Sequence, residues 1–186
     1  MVPSALQATD ADKLALAQDI LAHPVACSPI PAGRAYRDML FHGPSYQLLK
    51  VLEGLDVGGA RAEVRPSRAA DFGGGAWLFD PGLLDAAAQL AWVWSIHVRG
   101  QPALPNAIGR ATRLGTGAAR QMVMRLHPGL GPAEVRADVV IADAAGQPLL
   151  LLEALEATSD AGLARFCGWG GEILPDIALP KQEAAE

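Results

Sequence analysis

Residues 81–98 run Pro-Gly-Leu-Leu-Asp-Ala-Ala-Ala-Gln-Leu-Ala-Trp-Val-Trp-Ser-Ile-His-Val, and they constrain the fold more than any other stretch of the chain. Asp80 is a good N-cap, and Pro81 takes the first helical position, where its missing N–H costs nothing. Gly100 is placed to stop the helix. Between these signals Leu83, Leu84, three alanines, Leu90, Ala91, Trp92, Val93 and Trp94 put apolar groups on every face, with no polar stripe before Ser95. A surface helix shows one wet side, so a helix that is apolar all round is enclosed by other parts of the protein. No apolar run in the chain approaches the ~20 residues that span a bilayer, which leaves protein as the expected surroundings.

What encloses it follows in the sequence. Four strand-like segments, roughly 104–115, 120–127, 134–142 and 147–156, come after the helix with no second helix between them. Val135, Ala137, Val139 and Ile141 alternate with Arg136 and Asp138, as in a sheet with one wet face. Asp143-Ala-Ala-Gly146 has the chemistry of a tight turn, Gly146 being able to take the left-handed position, so the last two strands form an antiparallel hairpin. Earlier, Ala60–Pro66 also alternates at a strand's period, and Ser45–Leu52 is expected to be a short helix. The predicted class is α+β, an antiparallel sheet wrapped around a long buried helix, which is the hot-dog arrangement.

Composition narrows the function. The chain has 15 basic and 20 acidic side chains, a formal charge of −5, and no Lys/Arg block. Nucleic-acid binding needs clustered cations to neutralise phosphates, so no nucleic-acid partner is expected. No secretion signal opens the sequence, and the expected location is cytoplasmic, away from membranes. Cys27 and Cys167 support neither a disulfide framework nor a zinc site. A short capped helix over 9–22 and a Pro-containing connector make up residues 1–33; the hot-dog domain is expected over 34–158, and 159–186 reads as a linker or tail. Gly73–Gly75 reads as a plain flexible loop.

Inside the apolar helix, Asp85 and Gln89 are one turn apart on the same face. An unpaired carboxyl among methyl groups and indoles is costly to ionise, whereas the dipole at the helix start favours its charge by only ~0.3–1 kcal/mol. If water is excluded, burial wins, and the group is a protonated acid, held by Gln89, that can protonate a leaving hydroxyl. The other reading of the same spacing is a partly wet acid near a helix start with an ordinary polar neighbour.

Four segments in order carry a resemblance. Leu40-Phe-His-Gly-Pro-Ser-Tyr-Gln47 resembles the Gly-Pro-x-Phe-Gln motif of polyketide synthase dehydratase domains, and Phe79-Asp-Pro-Gly-Leu-Leu-Asp-Ala-Ala-Ala-Gln89 resembles their His-Pro-x-Leu-Leu-Asp-x-x-x-Gln motif. Leu104-Pro105-Asn-Ala-Ile108 is similar to the Leu-Pro segment that follows in the family, and Ala137–Leu155 to its closing hairpin. The Phe-His-Gly-Pro form is most like the dehydratase-like domains of iterative polyunsaturated fatty acid and enediyne synthases. The resemblance implies two hot-dog units side by side. A His of the first removes the α-proton of a β-hydroxyacyl group carried on the phosphopantetheine arm of an acyl carrier protein, with no other cofactor. The Asp of the second protonates the departing hydroxyl. Asp85 matches that Asp and Gln89 its orienter, while His42, Tyr46, Pro105 and Trp92 are the implied substrate-binding residues. Three positions depart from the pattern: Tyr46 replaces the usual Phe, His42 stands where many relatives have Tyr, and Asp80 stands in place of the motif His.

The first unit's signature, His-x-x-x-Gly-x-x-x-x-Pro, is not matched. His127 begins such a run, but position 136 is Arg, and Pro128–Pro132 reads as a turn between strands. His23 and His97 have no motif around them, and nothing in the sequence marks His42 as a base. The chain therefore supplies an acid and no evident base, half of a site. It is expected to associate with a second hot-dog unit, in cis or as a homodimer. The readings in order are the second half of a dehydratase, a non-catalytic dehydratase-like module that shapes a synthase or holds an acyl chain, and, more weakly, a hot-dog thioesterase.

Overall fold

Asp80 caps the long helix as expected, its carboxylate accepting the N–H groups of Gly82 (3.0 Å) and Leu83 (3.2 Å). The same side chain accepts from the backbone N–H (2.9 Å) and the hydroxyl of Ser67. The computed structural model describes residues 9–25, 30–67 and 77–167; Cys27, the Gly73–Gly75 loop and the tail beyond residue 167 lie outside them. In chain order the elements are α1 (Asp10–Leu21), β1 (Ile30–Pro31), α2 (Ala32–Asp38), a 3-10 turn (Pro44–Tyr46), β2 (Leu49–Asp56), β3 (Gly59–Val64), α3 (Pro81–Arg99), β4 (Ala103–Arg113), β5 (Gln121–Leu126), β6 (Glu134–Ala142), β7 (Pro148–Ser159), a second 3-10 turn (Ala161–Leu163) and α4 (Ala164–Cys167). Gly100 ends α3 with φ 72°, and Gly146 turns the β6–β7 hairpin with φ 78°.

The strands form one seven-stranded antiparallel sheet in the order β1-β2-β3-β5-β6-β7-β4. Its inner face packs Met122, Met124, Val139, Ile141, Leu150 and Leu152 into the same core as Leu90, Val93 and Ile96 of α3. The intervening residues Val123, Val140 and Leu151 point outward, where Ala17 and Ile20 of α1 cover them. This is the period-two rule with both sides occupied, and it corrects the expected wet face: over the second half of β6 neither face is wet, because α1 lies across it. Thr9 and Asp12 start α1 with a reciprocal capping box.

Two other expectations are corrected. Part of the expected connector, Ile30–Pro31, is a short strand paired with Leu52 and Val51, and α2 begins at Ala32. The expected helix over Ser45–Leu52 is a 3-10 turn followed by β2. Irregularities between Leu49 and Val51 and between Leu52 and Gly54 break the alternation of β2, so Leu49, Leu52 and Leu55 all reach the core at a spacing that imitates a helix. β4 is the open edge of the sheet, exposed along much of both faces, with Leu104 and Ile108 48% and 38% accessible.

Candidate active site

The candidate acid is positioned by three segments that meet on one flank of α3. Asp85 and Gln89 stand one turn apart, as spacing predicts, and Gln89 Nε2 donates to Asp85 Oδ2 at 2.6 Å. Gln89 is 1% exposed, so each of its amide atoms needs a partner. Its Nε2 also donates to the carbonyl of Tyr46 (2.8 Å), and its Oε1 accepts from the hydroxyl of Tyr36 (2.6 Å).

Tyr36 fixes which way that amide points. Its oxygen already accepts the N–H of Leu49 at 2.9 Å, which leaves the hydroxyl proton for Gln89 Oε1. Gln89 must then turn its NH₂ toward Asp85. Burial raises the Tyr36 pKa well above that of a free phenol, with the charge of Asp85 adding to the effect, so the hydroxyl keeps the proton it donates. Sequence reasoning missed Tyr36, since α2 is short and its Pro31 N-cap offers no side-chain hydrogen bond. Tyr36→Phe leaves the Leu49 N–H and Gln89 Oε1 unpaired, and about 1–3 kcal/mol of stability should be lost in denaturant unfolding.

The opposite side of Asp85 faces His42. The imidazole Nε2 lies 3.6 Å from Asp85 Oδ2, with the two side chains 15% and 33% exposed. Phe41 stacks on the ring (centroids 4.5 Å apart, planes 21° apart), and Gln47 Nε2 holds the His42 carbonyl at 3.0 Å. Burial lowers the His42 pKa and so favours the neutral imidazole, an effect that the negative charge of Asp85 partly opposes. Phe41, 58% exposed and edge-on to Trp92 at 5.7 Å, is a second residue that sequence reasoning passed over, although it lies inside the Phe-His-Gly-Pro motif.

The other predicted site residues fall differently. Tyr46 joins the network through its carbonyl, its side chain being half exposed. Trp92 is 4% exposed and donates its indole N–H to the Met39 carbonyl (3.2 Å), a core residue behind Phe41 rather than a surface for substrate. Pro105 lies on β4 opposite Ala157 and takes no part in the hydrogen bonds around Asp85. Asp85 is not enclosed either. At one-third exposure it sits at an open mouth, so the exclusion of water on which a burial-protonated acid depends is not provided by this unit alone. A cavity of about 440 Å³ lies elsewhere, at the start of α3, lined by Trp77, Phe79, Leu83, Arg113 and Leu149 among others, and Asp85, Gln89 and His42 do not line it. His127 pairs with Asp138 at 3.0 Å at the end of β5, consistent with a strand-end residue. Among the described residues, no group of three metal-ligating side chains occurs and no helix is long and apolar enough to cross a membrane.

An antiparallel sheet curled over an apolar helix that carries an Asp-x-x-x-Gln pair defines a hot-dog unit of the dehydratase type. A family model described as "Polyketide synthase dehydratase N-terminal domain" matches residues 20–163, and the chain belongs to that family. It is similar in fold to the dehydratase domain of PpsC from Mycobacterium tuberculosis, solved in complex with C12:1-CoA (24% identity over 75% of this chain and 56% of that one, TM-score 0.58). It is also similar to a trans-AT polyketide synthase dehydratase domain from Brevibacillus brevis (19% identity, 84% and 55% covered, TM-score 0.56). The dehydratase domain from the CurF module of curacin polyketide synthase is a third such structure (21% identity, 72% and 48% covered, TM-score 0.57). The chain thus spans about half the length of these domains. A search of curated proteins returned no match.

Proposed function

We propose that this chain is the second hot-dog unit of a β-hydroxyacyl dehydratase and that Asp85 is its general acid, donating a proton to the hydroxyl that departs as an enoyl thioester forms. The observation that carries this reading is the chain of hydrogen bonds from Leu49 N–H through Tyr36 and Gln89 to Asp85 Oδ2. It fixes one carboxylate oxygen as an acceptor and leaves Oδ1 to carry and deliver a proton. A proton donor held this way typically contributes 10²–10⁴-fold to rate. The family model is described as an N-terminal domain; the assignment to the second unit rests on the Asp85–Gln89 motif and on the Gly43-Pro-Ser-Tyr-Gln47 segment that meets it.

The substrate in this reading is an acyl group on the phosphopantetheine arm of an acyl carrier protein, and the chemistry draws on no further cofactor. The partner is another hot-dog unit, in cis or as a second copy. The open edge at β4 suits it, because its unpaired backbone groups and its exposed Leu104 and Ile108 are a liability without one. Covering the mouth of Asp85 would also exclude the water that now reaches it. The one-third exposure of that carboxylate and its separation from the cavity at the start of α3 favour the second reading, a dehydratase-like module without activity.

Supplying the chain with a separate first unit that bears the His-x-x-x-Gly-x-x-x-x-Pro motif decides between the two. With a β-hydroxyacyl carrier protein as substrate, mass spectrometry should find the enoyl product when the chain is present and none from the first unit alone. Absence of product, with a first unit known to work beside another second unit, overturns the catalytic reading.

A further inference from the structure

We infer that Arg65 is a positioning residue for the Asp85 site, acting through the turn that supplies the Tyr46 carbonyl. The inference rests on the dehydratase reading above and adds to it the group that sets the acid's partner in place. Gln89 Nε2 carries two hydrogens, one donated to Asp85 Oδ2 (2.6 Å) and the other to the Tyr46 carbonyl (2.8 Å). Its Oε1 is already held by Tyr36 at 2.6 Å. The direction of the hydrogen that meets Asp85 therefore depends on where the Tyr46 carbonyl stands.

That carbonyl belongs to a turn with little of its own to hold it. The 3-10 turn Pro44–Tyr46 is three residues long, none of them buried, and no side chain caps it at Gly43. Its own bonds run from Tyr46 N–H to the Gly43 carbonyl (3.0 Å) and from Gln47 N–H to the Pro44 carbonyl (3.3 Å). A single turn fixes several dihedrals for very few hydrogen bonds, so it is weak alone. Arg65 supplies the rest. Its backbone N–H donates to the Leu48 carbonyl (2.9 Å), its Nε to the Gln47 carbonyl (3.0 Å), and its Nη2, at longer range, to the Pro44 carbonyl (3.4 Å). A planar guanidinium with its donors in a fixed fork sets the angle of the turn as well as its distance.

Arg65 can do this because it is tied to the sheet. It directly follows β3, whose last residue, Val64, pairs with Leu49 and donates its N–H to the Arg120 carbonyl at 2.8 Å. Gln47, gripped through its carbonyl, in turn donates Nε2 to the His42 carbonyl at 3.0 Å. Both groups that flank Asp85, the Gln89 amide and the His42 ring, are thus referenced to one side chain at the end of β3. No hydrogen bond or ion pair joins Arg65 to Asp85 among the described residues, so the turn carries its effect on the acid.

The experiment uses the whole 186-residue chain as wild type, Arg65→Lys and Arg65→Ala. Hydrogen exchange of the Gln89 side-chain amide, followed by NMR, reads the hold directly, with backbone amides of β6 and β7 as the reference for loosening of the whole fold. Both variants should exchange the Gln89 amide about 10-fold faster, with the reference amides unchanged. Beside a first unit, on a β-hydroxyacyl carrier protein, both should lose about 10–10²-fold in kcat with KM nearly constant. Lysine should fail as alanine does, because an ammonium keeps the charge without the fork, and it is the variant that decides if Arg65→Ala does not fold. Gln89 exchange unchanged in Arg65→Lys overturns the inference. Faster exchange with kcat unchanged, where the wild type forms product, overturns it too. Faster exchange with no product even from the wild type removes the dehydratase reading and leaves the hold of Arg65 on the Gln89 amide standing.

Discussion

Asp85→Asn is expected to lower enoyl formation by 10²–10⁴-fold, mostly in kcat. The substitution is nearly isosteric and keeps an oxygen to accept from Gln89 Nε2 at the 2.6 Å now observed, so binding of the acyl chain should change little. What is lost is the proton. Without it the hydroxyl must leave as hydroxide, and the amide of Asn cannot serve as an acid at neutral pH. A parallel fall in kcat/KM with KM nearly constant marks an interaction made in the transition state. A rise in KM with kcat unchanged would instead make residue 85 a binding group and remove its role as the acid. Tyr36→Phe should give a smaller change in the same direction, because it frees the Gln89 amide while leaving the carboxyl in place.

The second large effect is on acid stability. His97 is 1% exposed near the end of α3, with both ring nitrogens unpaired among the described residues. Burial lowers its pKa from 6.5 to about 4. A base whose folded pKa is depressed is carried neutral by the native state, while the unfolded chain takes up a proton as soon as the pH drops below 6.5. Its effect on stability is therefore flat above pH 6.5, worsens as the pH falls, and levels off near 4, a loss of about 3 kcal/mol across that window. The position near a helix C-terminus favours the cation by at most ~2 kcal/mol and does not reverse the sign. Denaturant unfolding of the wild type and His97→Leu between pH 7 and pH 4 checks this. The variant should show a shallower decline by about that amount, and equal slopes would mean that His97 takes up its proton as readily in the fold as in the unfolded chain.

Much of the architecture was legible because single residues decide it. Asp80, Pro81 and Gly100 bracket α3, its all-round apolar surface requires enclosure, and Asp143 with Gly146 turns the final hairpin. β2 was not legible. Its irregular pairing brings Leu49, Leu52 and Leu55 to one side at helix-like intervals, so periodicity alone misreads it. The wet face assigned to β6 failed for a related reason, since nothing local reveals that α1 will lie across Val140 and Leu151.

At the site, the Asp85–Gln89 contact follows from helical spacing, but its orientation depends on Tyr36, which lies in a different helix and reaches Gln89 only through the tertiary fold. The placement of His42 beside Asp85 is likewise a product of how the Gly43-Pro44 turn packs on α3. The openness of Asp85 could not be read either, because exclusion of water depends on what covers the mouth, and a sequence pattern contains no such term.

The position of a bound substrate tests the central claim most directly. A crystal structure of Asp85→Asn with an uneliminated β-hydroxyacyl thioester, determined together with a first unit, should place the β-hydroxyl within ~2.6–3.2 Å of the side chain at position 85. An acyl chain seated instead in the cavity between Leu83, Leu149 and Arg113, with residue 85 turned to solvent, would contradict it.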